Sequence, residues 1–368
     1  MARKLVSIRV VGELRALPES LKYEVANIDG WSVIVHKGSF TAGEAILFFE
    51  IDCFLPPEDP RFALSQNPLH NQVVTWQGSK GIHIKSVMFN KVVSQGLVLK
   101  LHQFPEVTGA YSNHGMHDEN IDLAEKLGIK KWELSPKELT TTLGKPPTFI
   151  PSTNLERVQN CRNLFTDKYK DEVFQESTKM DGSSMTVYFV TKQSCWYRSL
   201  RGLPPGSKAD MASGRFGVCS RNSDLPETGK TTFWEVALRH GLPQKLAGVN
   251  RNLAIQGELC GSTIQKNRHS FPKGGHDFFV FSIFDIDSQQ RFPPAETIMR
   301  AKQLDLPHVP VHGNVRLHDI ARCTADLLKR AEGVGDDGNK REGLVFKNIN
   351  SDRGFKVIAN NYLLQHGE

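Results

Sequence analysis

The sequence lacks the long apolar segments that a membrane or export signal would require. Its continuous apolar runs, such as residues 45–49 and 278–281, are far shorter than the roughly 20 residues that span a bilayer as a helix. The N-terminus leads into an alternating segment without the apolar core of a secretion signal. We therefore predict an intracellular protein, cytoplasmic or nuclear, with no membrane segment.

Cysteine is also sparse. The six cysteines lie far apart and form no C-x-x-C pair, so the sequence contains neither a zinc knuckle nor a disulfide framework. We find no internal repeat and no low-complexity tract. These absences indicate a reducing compartment and exclude repeat architectures.

What is present is the composition of a folded globular protein. The 368 residues are 39% hydrophobic and 23% charged, and at roughly 100–200 residues per domain they suffice for two domains with their own cores. Lysine and arginine number 46 against 40 acidic residues, which gives a formal net charge of +6. This mild basic bias is compatible with a phosphate-rich partner but does not require one.

Short alternating apolar runs dominate the first hundred residues and predict β-strands. They cover residues 5–11, 21–28, 31–36, 45–51, 81–93 and 95–101. Asp29-Gly30 lies between two of these runs and is a good signal for a tight hairpin. Because short strands must protect their edges, we expect a small antiparallel barrel with a long loop insertion up to Lys80.

The pattern changes after this barrel. Residues 102–150 are polar, contain helical patterns at 122–131 and 136–143, and end near Pro146-Pro147. Later strand patterns (184–191, 253–259, 278–285, 343–347) mix with helical patterns (232–240, 294–303, 319–332), as in α+β domains. We predict an α+β chain with a first domain at 1–105, a linker with short helices at 106–150 and a second domain at 151–368.

The sharpest chemical signal is Lys179-Met-Asp181-Gly182, which leads into a strand pattern. Alone it is weak, because K-x-D-G also occurs in ordinary surface turns. Its value comes from the segments that follow it in order, which are Gly217-Val-Cys-Ser-Arg221-Asn, Ile255-Gln-Gly-Glu258-Leu, Phe279-Val-Phe281, Arg341-Glu342-Gly343-Leu-Val345-Phe-Lys347 and Gly354-Phe-Lys356.

In this order the segments resemble motifs I, Ia, III, IIIa, IV and V of the covalent nucleotidyltransferase superfamily, which contains polynucleotide ligases and mRNA capping enzymes. The resemblance covers residues 151–362. The first hundred residues look like the OB module that precedes the ligase domain in one branch of ATP-dependent RNA ligases. The resemblance implies an N-terminal OB-type β-barrel followed by an adenylyltransferase domain of antiparallel sheets flanked by helices.

A lysine that attacks the α-phosphorus of ATP must be neutral. An ordinary pKa of ~10.4 leaves only about one lysine in a thousand deprotonated near pH 7.4. Burial or a neighbouring divalent cation can lower the pKa of Lys179. Asp181, Glu258 and Glu342 are suitable holders of Mg²⁺ or Mn²⁺, directly or through water, and the resemblance implies this role for them.

Other motif positions are candidates for nucleotide contacts. Lys347 and Lys356 supply fixed positive charge for the α-phosphate and the transition state. Phe281 is suited to stack on adenine and Val345 to close the opposite face, although both residue types are also common in cores. The resemblance adds further nucleotide-binding candidates, which are Arg157 and Asn160 in a segment before motif I, Thr178, Gly182 and Arg221. Thr178 stands where many RNA ligases have glutamate, and Glu176 is expected to lie close to the nucleotide.

Other clusters are weaker candidates. His114 and His117 could bind a metal, but without convergent Cys or Asp partners a polar loop is favoured. Asp336-Asp337-Gly338 lacks the ligand series of a calcium loop and indicates a turn. A nucleic-acid-binding face on the first domain could use stacking and charge, and its candidates are Arg3, Lys4, Trp31, Lys37, Trp76, Lys80, Lys85 and Lys91.

The resemblance implies an ATP-dependent RNA ligase that acts in RNA repair. Lys179 would form lysyl-AMP from ATP, the AMP would move to a 5′-phosphate end, and a 3′-hydroxyl would displace it. The expected cofactors are ATP, with AMP as a covalent adduct, and Mg²⁺ or Mn²⁺. The expected partner is RNA, with a nicked duplex among the candidate substrates, and a monomer is favoured.

Two alternatives differ from this expectation. DNA ligases and capping enzymes normally carry an OB domain after motif V, whereas only 12 residues follow Lys356 here. A non-catalytic RNA-binding protein with a degenerate ligase fold belongs to a different class. The presence of Lys179 together with Asp181, Glu258 and Glu342 argues against it, because a binding protein does not need a lysine among three carboxylates.

Overall fold

The structure, a computed structural model, describes residues 4–62, 69–70, 72–107, 121–132, 141–229, 231–335 and 338–367. Its N-terminal strands are β1 (Val6–Val10), β2 (Leu14–Ala16), β3 (Tyr23–Ile28), β4 (Trp31–His36), β5 (Ala45–Phe49), β6 (Cys53–Leu55), β7 (Val73–Trp76), β8 (Ser79–His83), β9 (Val87–Phe89), β10 (Val92–Ser94), β11 (Leu97–Lys100) and β12 (Lys130–Lys131).

The described strands between Val6 and Lys100 form a small antiparallel barrel. β5 pairs with both β1 and β11, and β3 pairs with both β2 and β4. Two backbone hydrogen bonds of 2.8 Å join these sheets, from Gly12 to the carbonyl of Asn27 and from Gln95 to the carbonyl of Ser32. The predicted barrel is confirmed. The hairpin at Asp29-Gly30 is confirmed as well, with Asp29 at φ 53°.

The segment predicted as one strand over residues 81–93 is divided. It contains most of β8 and the separate strands β9 and β10, which pair with each other. The chain reverses at Asn90 and Lys91, whose φ angles are 46° and 62°. A turn made by two non-glycine residues leaves no clear break in an alternating pattern. The insertion before Lys80 also has structure, since β7 and β8 join β6 and β12 in a four-stranded sheet.

The structure changes the predicted nucleic-acid face of the barrel. Trp31 is only 1% exposed and belongs to the hydrophobic core, so it cannot stack on a base from the surface. Trp76 is half-buried and stacks on Trp132, with ring centroids 5.3 Å apart. The lysines at positions 37, 80, 85 and 91 are exposed, and Arg3 lies outside the described residues.

The second half contains two sheets flanked by helices, as predicted for an α+β domain. One sheet has the order β13-β23-β22-β14-β21 and the other the order β17-β16-β15-β18-β19-β20. The strands are β13 (Glu156–Arg157), β14 (Val173–Lys179), β15 (Ser183–Thr191), β16 (Gly214–Ser220), β17 (Asp224–Leu225), β18 (Leu253–Gly261), β19 (His276–Asp285), β20 (Gln290–Arg291), β21 (Val311–Arg316), β22 (Gly343–Asn348) and β23 (Gly354–Ile358). The helices are α1 (Thr232–Arg239), α2 (Leu242–Val249), α3 (Pro294–Gln303), α4 (Leu317–Ile320), α5 (Thr324–Ala331) and α6 (Asn360–His366).

Two predicted helices differ from the structure. Residues 122–131 contain a single 3-10 turn, Glu125–Leu127, which ends at Gly128 with φ 66° and is followed by β12. Residues 319–332 are divided between α4 and α5, because Ala321 and Cys323 are both extended at φ −156°. Of the pattern at 136–143, residues 136–140 lie outside the described residues, as do His114, His117 and Asp336-Asp337. Residues 141–143 form no helix.

One hydrophobic core continues from the barrel into the five-stranded sheet. It includes Trp31 and Phe48 of the barrel and Phe174, Phe346 and Phe355 of the sheet. Because side chains alternate along a strand, the opposite face of this sheet is left for the other set of residues. That set includes Lys179 of β14, Val345 and Lys347 of β22, and Lys356 of β23. In the part of the chain that the structure describes, no helix is long and apolar enough to cross a membrane.

Candidate active site

Lys179 lies where the two sheets meet. It is the last residue of β14, and Met180-Asp181-Gly182 carries the chain from the five-stranded sheet into β15 of the six-stranded sheet. A Cβ atom at Gly182 would lie 2.4 Å from the carbonyl oxygen of Leu259 on β18, so this crossing requires glycine. The turn therefore places Lys179 and Asp181 beside strands of both sheets.

Three carboxylates determine the charge around Lys179. Its Nζ donates a hydrogen bond of 2.9 Å to Oε2 of Glu342, which directly precedes β22, while Glu258 lies within β18 opposite Ser184. Burial acts to lower the pKa of Lys179, but Glu342, Glu258 and Asp181 outweigh it and the pKa is raised overall. Burial alone therefore does not produce the neutral amine. The raised pKa favours the ammonium form of Lys179, paired with Glu342.

The same carboxylates fit a hydrated divalent cation. Burial raises the pKa of Glu258 to about 7, against the opposing charge of Lys179, so an added cation would stabilise the carboxylate form. Among the described residues, however, no group of three His, Cys, Asp or Glu side chains is arranged to hold a metal by itself. Mg²⁺ usually keeps several waters and binds through one or two carboxylates together with phosphate oxygens. The site fits a cation shared with a nucleotide and not a protein-only cage.

Three residues outside the motif segments hold Asp181, and none of them was predicted from the sequence. Its Oδ2 accepts hydrogen bonds from the Arg268 guanidinium at 2.5 Å and from the Tyr362 hydroxyl. Its backbone NH donates to Nε2 of His269 at 3.1 Å. Arg268 lies in the loop between β18 and β19, and Tyr362 lies on α6. No motif spacing links these positions to Asp181, and only the fold brings them together.

Lys347 connects the two sheets on the other side of the site. Its Nζ donates to the backbone oxygen of Phe281 on β19 and lies 5.1 Å from the centroid of that ring. Burial lowers the pKa of Lys347 to about 7, with the charge of Arg291 adding to the decrease. Phe281 is half-buried beside the bulge in the pairing of β18 with β19. The predicted phosphate contact and the predicted adenine platform are therefore neighbours.

The remaining predicted residues of the site are Val345, Lys356 and Arg221. Val345 pairs with Lys356 across β22 and β23. Burial raises the pKa of Glu342, and the charge of Lys356 opposes this rise. The charge of Arg221, exposed just beyond β16, opposes the rise at Glu258. Lys356 and Arg221 thus lie within electrostatic range of the carboxylates around Lys179.

The side chain of Asn160 points towards the barrel. Its Nδ2 donates to Glu50 at 2.6 Å and to Glu156 at 2.9 Å. Its Oδ1 accepts from the Trp31 indole at 2.7 Å and from Arg9 at 3.4 Å. All four hydrogen-bonding positions of the amide are used within the protein. Through these hydrogen bonds Asn160 joins the barrel to the second domain, and its nucleotide contact stays a prediction.

Arg157 also reaches towards the barrel. Its backbone lies beside Lys356 in the sheet. Its guanidinium, however, lies 3.5 Å from Asp52 and 5.9 Å from the ring of Trp31. The structure therefore places Arg157 between the expected nucleotide site and the barrel.

Thr178 and Glu176 lie on the face of β14 opposite Lys179. The hydroxyl of Thr178 is hydrogen-bonded to Nε2 of His312 at 2.9 Å. Both oxygens of Glu176 accept hydrogen bonds of 2.8 Å from Arg330 of α5, which accounts for a glutamate that is only 3% exposed. The expected closeness of Glu176 to the nucleotide stays a prediction. Strand alternation separates both side chains from the lysine.

The fold, an OB-type barrel followed by a domain of antiparallel sheets flanked by helices, is that of RNA ligases. A family model described as RNA ligase matches residues 172–358, and a model described as an OB-fold domain matches residues 5–101. The chain belongs to the RNA ligase family, as the order of its motifs predicts. None of the curated proteins compared with the chain matches it.

Solved structures of an RNA ligase from Naegleria gruberi are similar to the whole chain. A nucleotide-free variant of that ligase is 34% identical, with a TM-score of 0.84 over 100% of this chain and 99% of that one. A variant with ATP and manganese is 34% identical, with a TM-score of 0.82 over 100% of both chains. A variant with AMP and manganese is 34% identical, with a TM-score of 0.82 over 99% of each chain. These similarities confirm the predicted arrangement of an OB barrel followed by a ligase domain.

Proposed function

We propose that this chain is an ATP-dependent ligase that joins the 3′-hydroxyl and 5′-phosphate ends of RNA and acts in RNA repair. The observation that carries the proposal is the position of Lys179, paired with Glu342 at 2.9 Å between two sheets and flanked by Asp181 and Glu258. Membership of the RNA ligase family and the ATP and AMP complexes of the similar ligase support it.

In the first step Nζ of Lys179 attacks the α-phosphorus of ATP. A P–N bond forms, the bond from the α-phosphorus to the bridging oxygen breaks, and pyrophosphate leaves. Oε2 of Glu342 is in position to take the proton from Nζ. A divalent cation bound with Asp181, Glu258 and Glu342 would offset the carboxylate charge and neutralise charge on the α-phosphate.

Lys347 and Lys356 would stabilise negative charge on the α-phosphate, and Phe281 would stack on adenine. The nearness of Lys347 to the Phe281 ring supports a shared pocket for phosphate and base. Val345 would close the opposite side of the base, and Arg221 would contact ribose or an RNA phosphate.

The next two steps use RNA. An oxygen of the 5′-phosphate attacks the α-phosphorus of lysyl-AMP, and the P–N bond breaks. The 3′-hydroxyl then attacks the 5′-phosphorus, forms the phosphodiester and expels AMP. The barrel, assigned to residues 1–105, would hold RNA phosphates and bases with little sequence specificity, while residues 106–150 link it to the ligase domain at 151–368. We assign the activity to a monomer.

A sealing assay tests this proposal. Purified protein is incubated with Mg²⁺ and one of ATP, GTP or NAD⁺, together with 5′-labelled RNA whose ends meet at a nick, RNA with free single-stranded ends, or matched DNA. We expect ATP-dependent joining of RNA and an adenylylated 5′ end as a transient product. RNA binding without joining under every condition would contradict the ligase proposal and favour a non-catalytic RNA-binding protein.

A further inference from the structure

We propose that Tyr362 and Arg268 are positioning residues that fix the carboxylate of Asp181 for the divalent cation. The inference rests on the proposed function, because it requires Asp181 to face the cation and the nucleotide. Neither residue belongs to the motif segments. Both are expected to act through Asp181 and not by touching ATP.

The two donors converge on the same oxygen. Arg268 Nη1 lies 2.5 Å from Oδ2 of Asp181, and the Tyr362 hydroxyl donates to that same Oδ2. None of the described residues donates a hydrogen bond to Oδ1. Among these residues, therefore, one oxygen is held by the protein and the other is left for a cation or its water shell. A carboxylate bound in this way cannot rotate without losing two hydrogen bonds.

The donors are themselves held in place. Tyr362 is only 1% exposed and belongs to the core shared by the barrel and the five-stranded sheet. The Arg268 guanidinium lies 5.2 Å from the centroid of the Tyr362 ring, which favours one orientation of both groups. The backbone oxygen of Arg268 accepts a hydrogen bond of 2.9 Å from Asn339. Core packing of Tyr362 and the hydrogen bond from Asn339 thus fix the positions of the two groups that donate to Asp181.

The loop that carries Arg268 has an unusual backbone. Gln265, Lys266 and Asn267 have φ angles of 45°, 59° and 56°, in the left-handed region that non-glycine residues rarely adopt. Such a conformation persists only where surrounding contacts hold it, and here the Asn267 side chain is hydrogen-bonded to the backbone NH and oxygen of Phe271 at 2.8 Å. Residues that orient a metal-binding carboxylate typically change metal affinity or activity by about 10–100-fold when they are removed.

The test combines Tyr362→Phe with a matched control. Tyr188→Phe removes another buried tyrosine hydroxyl bonded to an aspartate, at 3.1 Å from Asp224, away from Lys179. Mn²⁺ is titrated by electron paramagnetic resonance in the presence of ATP, with every chain carrying Lys179→Met so that no reaction occurs. Single-turnover formation of lysyl-AMP is measured separately with Lys179 intact, and thermal unfolding confirms that each variant is folded.

We expect Tyr362→Phe to raise the Mn²⁺ concentration for half-saturation about tenfold and to slow lysyl-AMP formation by a similar factor. Tyr188→Phe is expected to leave both unchanged. A Tyr362→Phe protein that behaves like Tyr188→Phe would overturn the inference. If Tyr362→Phe does not fold, Arg268→Gln takes its place with the same criteria. Lack of lysyl-AMP in the otherwise unsubstituted protein would instead contradict the proposed function, so the two failures are distinguishable.

Discussion

Nζ of Lys179 and Oε2 of Glu342 lie 2.9 Å apart, with the two side chains 22% and 13% exposed. This ion pair explains why the pKa of Lys179 is raised although the side chain is buried. The raised pKa favours the ammonium form of Lys179, the proposed nucleophile, when no cation is bound. The carboxylates that hold the ammonium ion are those expected to bind the metal, so metal binding and lysine deprotonation are coupled.

Removal of the Glu342 charge leaves Lys179 buried without its partner. We expect Glu342→Gln to lower the free energy of unfolding by about 2 kcal/mol at pH 7, because an unpaired buried charge is costly. Lys179→Met combined with Glu342→Gln should restore most of that loss. Urea denaturation of the wild type, both single variants and the double variant measures the coupling. A double variant no more stable than Glu342→Gln would contradict the buried ion pair.

The lowered pKa of Lys347 predicts that the stability of the protein depends on pH. Its pKa is lowered from 10.5 to about 7 in the folded protein, so between these values the unfolded chain binds the extra proton and stability rises with pH. Nucleotide-free Lys347→Met lacks this dependence. It should therefore exceed the wild type in stability below pH 7, by about 5 kcal/mol at most, and lose this advantage towards pH 10. Denaturation at several pH values checks this, and a difference that is constant with pH would contradict it.

Substitution of Phe281 tests whether this residue stacks on adenine or only packs in the core. We expect Phe281→Ala to raise the ATP concentration for half-maximal lysyl-AMP formation about tenfold, because stacking on a base contributes roughly 1–3 kcal/mol. Phe281→Tyr retains the ring and should remain close to the wild type. If Phe281→Ala lowers the melting temperature but leaves the ATP dependence unchanged, the residue serves only packing.

Substitution of Asn160 tests its role in the interface between the barrel and the second domain. Because Asn160→Ala leaves Glu50, Glu156 and Trp31 without their shared partner, we expect the free energy of unfolding to fall by about 2 kcal/mol. The folded variant should still form lysyl-AMP with unchanged ATP dependence. Calorimetry and nucleotide labelling check both outcomes. A stable variant with a weakened ATP dependence would return Asn160 to the nucleotide site.

Much of the fold follows from local patterns. The hairpin at Asp29-Gly30 and the helix Pro294–Gln303 were predictable because turn residues and apolar spacing act over a few neighbours. The turn at Asn90-Lys91 and the break between α4 and α5 were not, because non-glycine residues in these conformations leave no clear signal.

Only the site residues within the ordered motif segments were predictable from the sequence. The motif segments identified Lys179 and its carboxylates, and the structure brings these residues together. Arg268 and Tyr362 could not be found in this way, because their link to Asp181 depends on how a loop and a helix pack. For Asn160, similarity of a segment does not show which way the amide points, and the structure turns it towards Glu50 and the Trp31 indole.

The most direct test of the account is covalent labelling. The purified protein, Lys179→Ala and the surface control Lys192→Ala are incubated with α-³²P-labelled ATP and Mg²⁺, and with labelled GTP and NAD⁺ in parallel, before a denaturing gel. Lys192 is an exposed lysine that directly follows β15, and its Nζ lies 3.7 Å from Oδ1 of Asp210. We predict an acid-labile band from ATP in the wild type and Lys192→Ala, and no band in Lys179→Ala. Absence of label from every nucleotide, in folded protein that is not already adenylylated, would contradict the central claim.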